Sequence, residues 1–481
     1  METRTEGENR MITQGLKALK DAQGLSAEQR GTVAELADVY EKVLRRNAEL
    51  DEYYDGKVYV PELGLTIDRA DFKTARSAIA CYWPEKVVDA LADRIRLRAV
   101  TDGTEDGLAS AIVDENNVVG QYDGFLLSKL KHGVMFATVG AQGGGKPPLV
   151  RFHSAKTAVA LPPDDMAYGT IGAGLAIARW GKTDSMLAKH VPVAVNLYER
   201  DMTTVLVYDG DQWKVDYSTR SAGTPMMFAF VHKRTGEKPF GKSRITRFVQ
   251  GLTQSAVRVL WDAEVSAALY AMPKDAIMGL SDDQYDAMLS NKQKAYMDTL
   301  LLGTTNDDGG TPVLQRLTAN SPEVYRTQLN MLGAQLSGAT GTPLNSLGIV
   351  QDNPSSAEAI QASREDICLI AENDIQGDRE SMRALMRCAA AVARNTTLDG
   401  LTAAERDVRA AYAEPMLNSR AAMADFAVKF ASVRDGFGKT RTCARMMGMD
   451  EDAIDALETE ERRNRANLMV DALMGEEDDD L

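Results

Sequence analysis

Cysteine is scarce in this chain of 481 residues, and the four present, Cys81, Cys368, Cys388 and Cys443, lie far apart with no Cys-x-x-Cys spacing. That excludes a disulfide framework and a thiolate zinc site, and leaves four small buried residues of a reducing compartment. His132, His153, His190 and His232 are the only histidines, and none has a partner at ligand spacing. They are expected on the surface or in strands, with no metal or other cofactor. No run approaches the ~18 apolar residues that span a bilayer. The opening METRTEGENR lacks the apolar core of a signal peptide. The expectation is a soluble chain made in the cytoplasm. Positive charge is short too: 55 Lys and Arg against 70 Asp and Glu leave a net charge of −15. Tight nucleic-acid binding rests on neutralising phosphates, so a strong grip on DNA is not expected.

The length calls for two to four domains or subdomains. Residues 8–50 and 72–98 have helical spacing, with a Tyr-rich turn at Tyr53-Tyr54-Asp55-Gly56 between them. From 124 to 232 the period changes to short β-rich runs: VMFATVG, PLVRFH, TAVALP, GLAIARW, VAVNLYER, TVLVYDG, QWKVDYS and MMFAFVH. Asp209-Gly210 marks a hairpin, and the region reads as largely antiparallel sheet. A proline-free helix then runs from Ser243 to Tyr270, ~40 Å at ~1.5 Å per residue. Residues 274–320 are mixed: a helical piece from Asp282 to Leu301, a turn at Gly309-Gly310 and a strand at 312–317. Ser321-Pro322-Glu323 opens another helix in the order cap, proline, acid. Residues 355–394 contain no proline and one glycine, with Ile360, Ile367, Ile375, Met382 and Leu385 on one apolar face. That helix also carries Asp366, Asp374 and Gly377, the last costing ~1 kcal/mol relative to Ala and marking a place for a kink. Residues 400–474 read as charged helix, followed by an acidic tail at 476–480.

One motif suggests an enzyme. Gly236-Glu-Lys-Pro-Phe-Gly241-Lys242-Ser243 matches the phosphate-binding pattern G-x-x-x-x-G-K-[ST] between a strand and a helix. Its interior argues against that chemistry, because Pro239 has no N–H and Glu237 would face the phosphates. The strands before it form an antiparallel meander rather than a parallel βαβ sheet. The other reading is a turn closed by Gly241, with Ser243 capping the long helix. Gly140 to Lys146 is a second near match, but Pro147 stands where the magnesium-binding hydroxyl belongs, so a hairpin tip is expected.

The most informative stretch is 338–360, GATGTPLNSLGIVQDNPSSAEAI. A helix stops at its Gly/Thr/Pro cluster, about a dozen polar residues without a period follow, and Ser355-x-x-Glu358 fits a capping box for the next helix. The chain therefore builds a shaped loop between two helices.

This order, with Pro239-Phe240-Gly241-Lys242-Ser243-Arg244-Ile245, Gly341-Thr342-Pro343-Leu344-Asn345-Ser346-Leu347-Gly348 and Asn353-Pro354-Ser355-Ser356-Ala357-Glu358-Ala359-Ile360, resembles the portal proteins of long-tailed bacteriophages. The resemblance covers about 40–470 and also includes Glu414-Pro415 and SRAAMADFAVK at 419–429. It implies a multidomain α+β, ring-forming fold. The wing (1–240) holds the N-terminal helices and antiparallel sheet, and stem helices occupy 241–270 and 323–338. A clip spans 271–322, a tunnel loop 339–354, a long wing helix 355–395, and a helical crown with the acidic tail 396–481. It implies no enzyme activity, since a separate terminase hydrolyses ATP. The implied role is a ring of twelve subunits at one capsid vertex through which double-stranded DNA is packaged and ejected. Implied partners are the major capsid and scaffolding proteins, the terminase large subunit and a head–tail adaptor. Implied location is the virion, after assembly in the host cytoplasm. Asn345, Ser346, Gln351, Asp352 and Asn353 become candidates to face DNA in the tunnel, although Asp352 and Asn353 also fit as helix caps. Lys242, Arg244, Arg247 and Arg258 become candidates for the channel wall or for intersubunit ion pairs. Few exposed basic clusters and a net negative charge suit a conduit that lets a polyanion slide. Two other readings stay open: an NTPase using Gly236–Ser243, and a capsid-associated adaptor or scaffold that only docks proteins.

Overall fold

The computed structural model describes residues 12–57, 80–143, 146–165, 167–182, 190–270, 274–280, 283, 300–304, 313–317, 321–349, 364–416, 420–434, 436–447, 449 and 451–475. The chain forms two compact units, Met1–Pro415 and Met416–Leu481.

In the first unit, α1 (Ala27–Tyr54) opens on a capping box: Ser26 Oγ accepts from the Gln29 N–H while the Gln29 side chain accepts from the Ser26 N–H. Its apolar face (Leu36, Tyr40, Leu44) covers a five-stranded antiparallel sheet and contributes to a core with Val195, Leu197, Leu206 and Trp213. The sheet runs β4 (Ala158–Leu161), β5 (Ala173–Lys182), β6 (His190–Tyr198), β7 (Met202–Tyr208), β8 (Trp213–Arg220), each paired with the next. Asp209 shapes the β7–β8 turn, its carboxylate accepting from the N–H groups of Asp211 and Gln212.

A second antiparallel sheet has the order β3-β2-β9, with β2 (Val134–Gly140) between β3 (Leu149–Ser154) and β9 (Met227–Val231). Strands β2 and β3, which flank the expected hairpin tip at Gly140 to Lys146, pair antiparallel, Gly140 with Leu149; Gly144 and Gly145 lie outside the described residues. Strand β2 is apolar at nearly every position, and two helices pack against it. They are α4 (Val118–His132), which follows α2 (Trp83–Ala92) and α3 (Leu108–Glu115), and α7 (Glu365–Ala393). All eight expected β runs are strands, but they divide between two sheets.

Two local expectations are corrected. The span 72–98 is not one helix: α2 begins at Trp83 with Pro84 in its first turn, and β1 (Leu97–Thr101) follows. The span 400–474 is not all helix, because β13 (Arg409–Tyr412) pairs antiparallel with β1. Both strands are short, and partners so distant in sequence leave no local signature.

Helices α5 (Arg247–Tyr270) and α6 (Pro322–Thr340) pack against each other. Ser321 caps α6 as expected, with proline in the first turn. Between them lie β10 (Lys274–Leu280), parallel to β11 (Leu300–Thr304) and antiparallel to β12 (Val313–Leu317). Leu300 and Leu301 are thus strand rather than helix, and the rest of the expected helical piece from Asp282 lies almost entirely outside the described residues, as does Gly309-Gly310. Helix α7 runs through Gly377 without a break.

The second unit consists of α8 (Arg420–Val433), α9 (Arg441–Met446) and α10 (Glu451–Gly475), with Phe430 and Phe437 packed edge-on at 4.6 Å between ring centres. No described helix is long and apolar enough to cross a membrane. All four cysteines are free and buried.

Candidate functional site

Helix α6 ends at Gly341, whose φ of 68° is a left-handed C-cap and whose N–H bonds the Ser337 carbonyl. Pro343 then opens a 3-10 turn, Leu344–Leu347, closed by Gly348 at φ 79°. This turn is clamped to the body of the first unit. Leu347 is buried in the main core, Thr342 is wholly buried, and Ile349 packs toward Gly333 of α6 and Trp83 of α2. Asn345 and Ser346 face outward between these anchors. The loop therefore leaves the body with its apolar residues inward and two short polar side chains outward. Gln351, Asp352, Asn353 and the capping box at Ser355 lie outside the described residues.

Arg244 braces the same corner. Its Nε donates to the Val87 carbonyl at 2.6 Å, and one Nη to the Thr340 carbonyl at 2.8 Å and to Thr342 Oγ1 at 3.5 Å. The side chain is buried within the chain. Its expected place on a channel wall or in an intersubunit ion pair is therefore corrected: the guanidinium satisfies the Thr340 carbonyl at the end of α6 and ties it to the Val87 carbonyl of α2. Lys242 and Arg247 are exposed, and Arg258 is half-buried with an Nη on Ser255 Oγ at 2.9 Å.

The apparent nucleotide loop folds as two successive tight turns. The Lys238 N–H bonds the Thr235 carbonyl, Gly241 that of Lys238, Lys242 that of His232, and Arg244 that of Leu130. Gly241 has φ 68°, and a Cβ there would run into the His232 carbonyl. The glycine is required by that crossing rather than by a phosphate. These four donors are committed to backbone carbonyls, and α5 begins only at Arg247, so the motif does not run straight into a helix N-terminus as a phosphate loop does. This geometry favours the turn reading over the NTPase one. The expected cap is also corrected: Thr246 Oγ1 accepts from the Val249 N–H, while Ser243 Oγ accepts from Ile245 in the preceding turn.

Beneath α7 lies a charged cluster that the sequence reading missed. Asp374 and Asp378, four residues apart on the apolar face of α7, meet Tyr122 and Lys129 of α4 and His232 just after β9. Lys129 Nζ is 2.6 Å from Asp378 Oδ2 and 3.6 Å from Asp374 Oδ2. His232 Nδ1 lies 2.6 Å from Asp374 Oδ2, and the Tyr122 hydroxyl donates to Asp378. Burial alone would raise the Asp374 carboxyl, but Lys129, His232 and Arg244 hold it down at about 2. At Asp378 burial prevails and the carboxyl is raised. Burial also lowers His232, against the pull of Asp374. The signal was available: Ile367, Ala371, Ile375 and Met382 define the core face, and Asp374 and Asp378 fall on it. His132 is buried as well, its Nε2 3.1 Å from Asp51, which also pairs with Lys131 and Lys156. The histidines at 132 and 232 are thus core residues, not surface ones. Among the described residues no group of three or more His, Cys, Asp or Glu side chains could hold a metal.

No protein-family model matches the chain. It is 27% identical over 124 residues to the portal protein of Mycobacterium phage L5, and to that of Mycobacterium phage D29 to the same extent. The chain resembles phage portal proteins. The match takes in 26% of this chain and spans only 25% of the length of each relative. Among solved structures, a chain from "Neck of native GTA particle computed with C12 symmetry" covers 82% of this chain and 97% of its own length at 13% identity, with a TM-score of 0.36. One from "Virion of native gene transfer agent (GTA) particle" covers 84% and 99% at 13% identity, with a TM-score of 0.37. At those scores neither likeness fixes the fold of this chain.

Proposed function

We propose that this chain is a portal protein: copies surround an axis at one vertex of a phage capsid, and the loop at 339–354 of each lines a bore through which double-stranded DNA enters and leaves. The observation that carries the reading is the pinned turn after α6, with Leu347 and Thr342 buried while Asn345 and Ser346 point outward. A part that must guide a moving polymer needs a rigid base and short uncharged tips, since each neutralised phosphate would add to the grip. The similarity to the two mycobacteriophage portal proteins supports the same reading.

On this reading α5 and α6 are the stem, β10–β12 form the clip facing the terminase and later the head–tail adaptor, α7 is the wing helix, and the C-terminal helices belong to the crown. Capsid and scaffolding proteins meet the outside of the ring, and the working location is the virion. Catalysis is left to the separate motor.

The test is an end-on electron micrograph of purified protein with its mass in solution. Rings with an axial hole and a mass near twelve times 52.4 kDa, or a set of neighbouring multiples, are expected. A well-folded monomer that persists at high concentration overturns the proposal, and an assembly with no axial hole favours a docking adaptor instead. Shortening the loop within 351–353, which spares the anchored turn, should leave rings intact and impair packaging.

A further inference from the structure

The outer side of α7 carries Arg379, Arg383 and Arg387 at four-residue steps, so their stems share one stripe with ~6 Å between successive positions. The segment after α7 lays Arg406 and Arg409 beside them. Backbone carbonyls fasten the heads: Arg383 Nε donates to Val408 at 3.3 Å, Arg387 Nε to Arg406 at 2.8 Å, and an Arg406 Nη to Asp399 at 2.6 Å. A carbonyl fixes the direction of a guanidinium without cancelling its charge. Carboxylates answer two of the five, Glu380 on Arg383 at 2.6 Å and Asp407 on Arg409 at 2.8 Å. Arg379 lies over the Tyr412 ring, 5.9 Å from its centre. Among the described residues Arg379, Arg387 and Arg406 have no ion-pair partner. Burial, and then the nearness of Arg383, lowers the pKa of Arg387, as expected where like charges crowd.

We propose that this arginine row binds the phosphate backbone of nucleic acid on the outer face of α7, about four helical turns beyond the start of that helix and apart from the loop at 339–354. A single phosphate would occupy one guanidinium fork. A row repeating every ~6 Å, with forks held in place beforehand, suits a chain of phosphates. The net charge of −15 does not forbid it, because at ~0.1 M salt charges beyond ~10 Å are largely screened and the local excess decides. The site requires neither a ring nor a bore.

The test measures binding of the full chain to a duplex of about 20 base pairs by fluorescence anisotropy between about 50 and 200 mM salt. Each neutralised phosphate contributes about −0.9 to the slope of log K against log salt. The triple variant Arg379→Gln, Arg387→Gln, Arg406→Gln should flatten that slope by about 2 to 3. Arg379→Glu alone, which disturbs no backbone hydrogen bond, should flatten it by about 1 or more while leaving the circular dichroism spectrum unchanged. Slopes equal to wild type in both variants overturn the site. Oligoglutamate that displaces the duplex at equal charge, and loses binding in the same variants, overturns the nucleic-acid assignment in favour of an acidic protein surface.

Discussion

Lys129 Nζ lies 2.6 Å from Asp378 Oδ2, and both side chains are shut off from solvent. Tyr122 donates to the same oxygen, while Asp378 Oδ1 has no partner among the described residues. Taking two ions out of water costs several kcal/mol each, so the pair adds little net stability while intact but becomes costly when halved. Lys129→Met leaves Asp378 without its cation, and Asp374 with only His232 and Arg244. The expected loss is about 3–5 kcal/mol in urea unfolding. Replacing Asp378 by Asn in the same chain should recover part of it. A midpoint for Lys129→Met within error of wild type would show that the cluster does not hold α4 to α7.

Acid should weaken the fold through its histidines. His153 is pushed down to about 4 by burial, with Arg151 adding to the effect. Burial also lowers His132 and His232, although Asp51 and Asp374 oppose it. Each binds its proton more weakly folded than unfolded, where the value is ~6.5, so the unfolded chain carries more protons and stability drops as pH falls below ~6.5. The contribution of Asp374 has the same sign but is lost only lower, as pH falls from 3.8 through about 2. The raised Asp378 carboxyl works in the opposite sense. The urea midpoint should fall between pH 7 and pH 5, and His153→Gln should flatten that fall. A constant midpoint over this interval contradicts the assignment.

Much of the fold was legible because its signals are local. The eight β runs, the Asp209-Gly210 turn and the Ser321-Pro322-Glu323 helix start depend on residues within a few positions of one another. The β1–β13 pair was not, since Leu97 meets Tyr412 only after the chain has closed. The shaped loop was visible as a break in period, but its clamping by Leu347, Ile349 and Arg244 was not. Arg244 reads as a surface cation until Val87, Thr340 and Thr342 surround it. The turn at Gly241 was legible but its cause was not: Gly241 is demanded by the His232 carbonyl, a contact invisible in the motif.

The start of α5 offers a clean discrimination. Thr246 Oγ1 accepts from the Val249 N–H, so Thr246→Ala should cost about 1 kcal/mol, as loss of a helix cap does. Ser243→Ala removes only the turn contact to Ile245 and should cost less. Thermal midpoints of the two variants measured side by side decide it. A larger drop for Ser243→Ala would restore Ser243 as the cap.

Gly333 and Gly338 of α6 separate helix stability from loop anchoring. An alanine at either position should favour the helix by up to ~1 kcal/mol. At Gly338 a Cβ meets nothing within 4 Å, so that gain should appear undiminished. At Gly333 the new methyl would run into Cδ1 of Ile349, with Trp83 close behind at 3.6 Å. The cheapest relief is for Ile349, a flexible side chain at the foot of the loop, to leave its seat. Gly333→Ala should therefore hasten cleavage within 343–364 by a non-specific protease, with cut sites read by mass spectrometry, whereas Gly338→Ala should not. Equal cleavage rates in the two variants would mean that Ile349 does not pin the loop, and that its rigidity rests on Leu347 and the Arg244 brace alone.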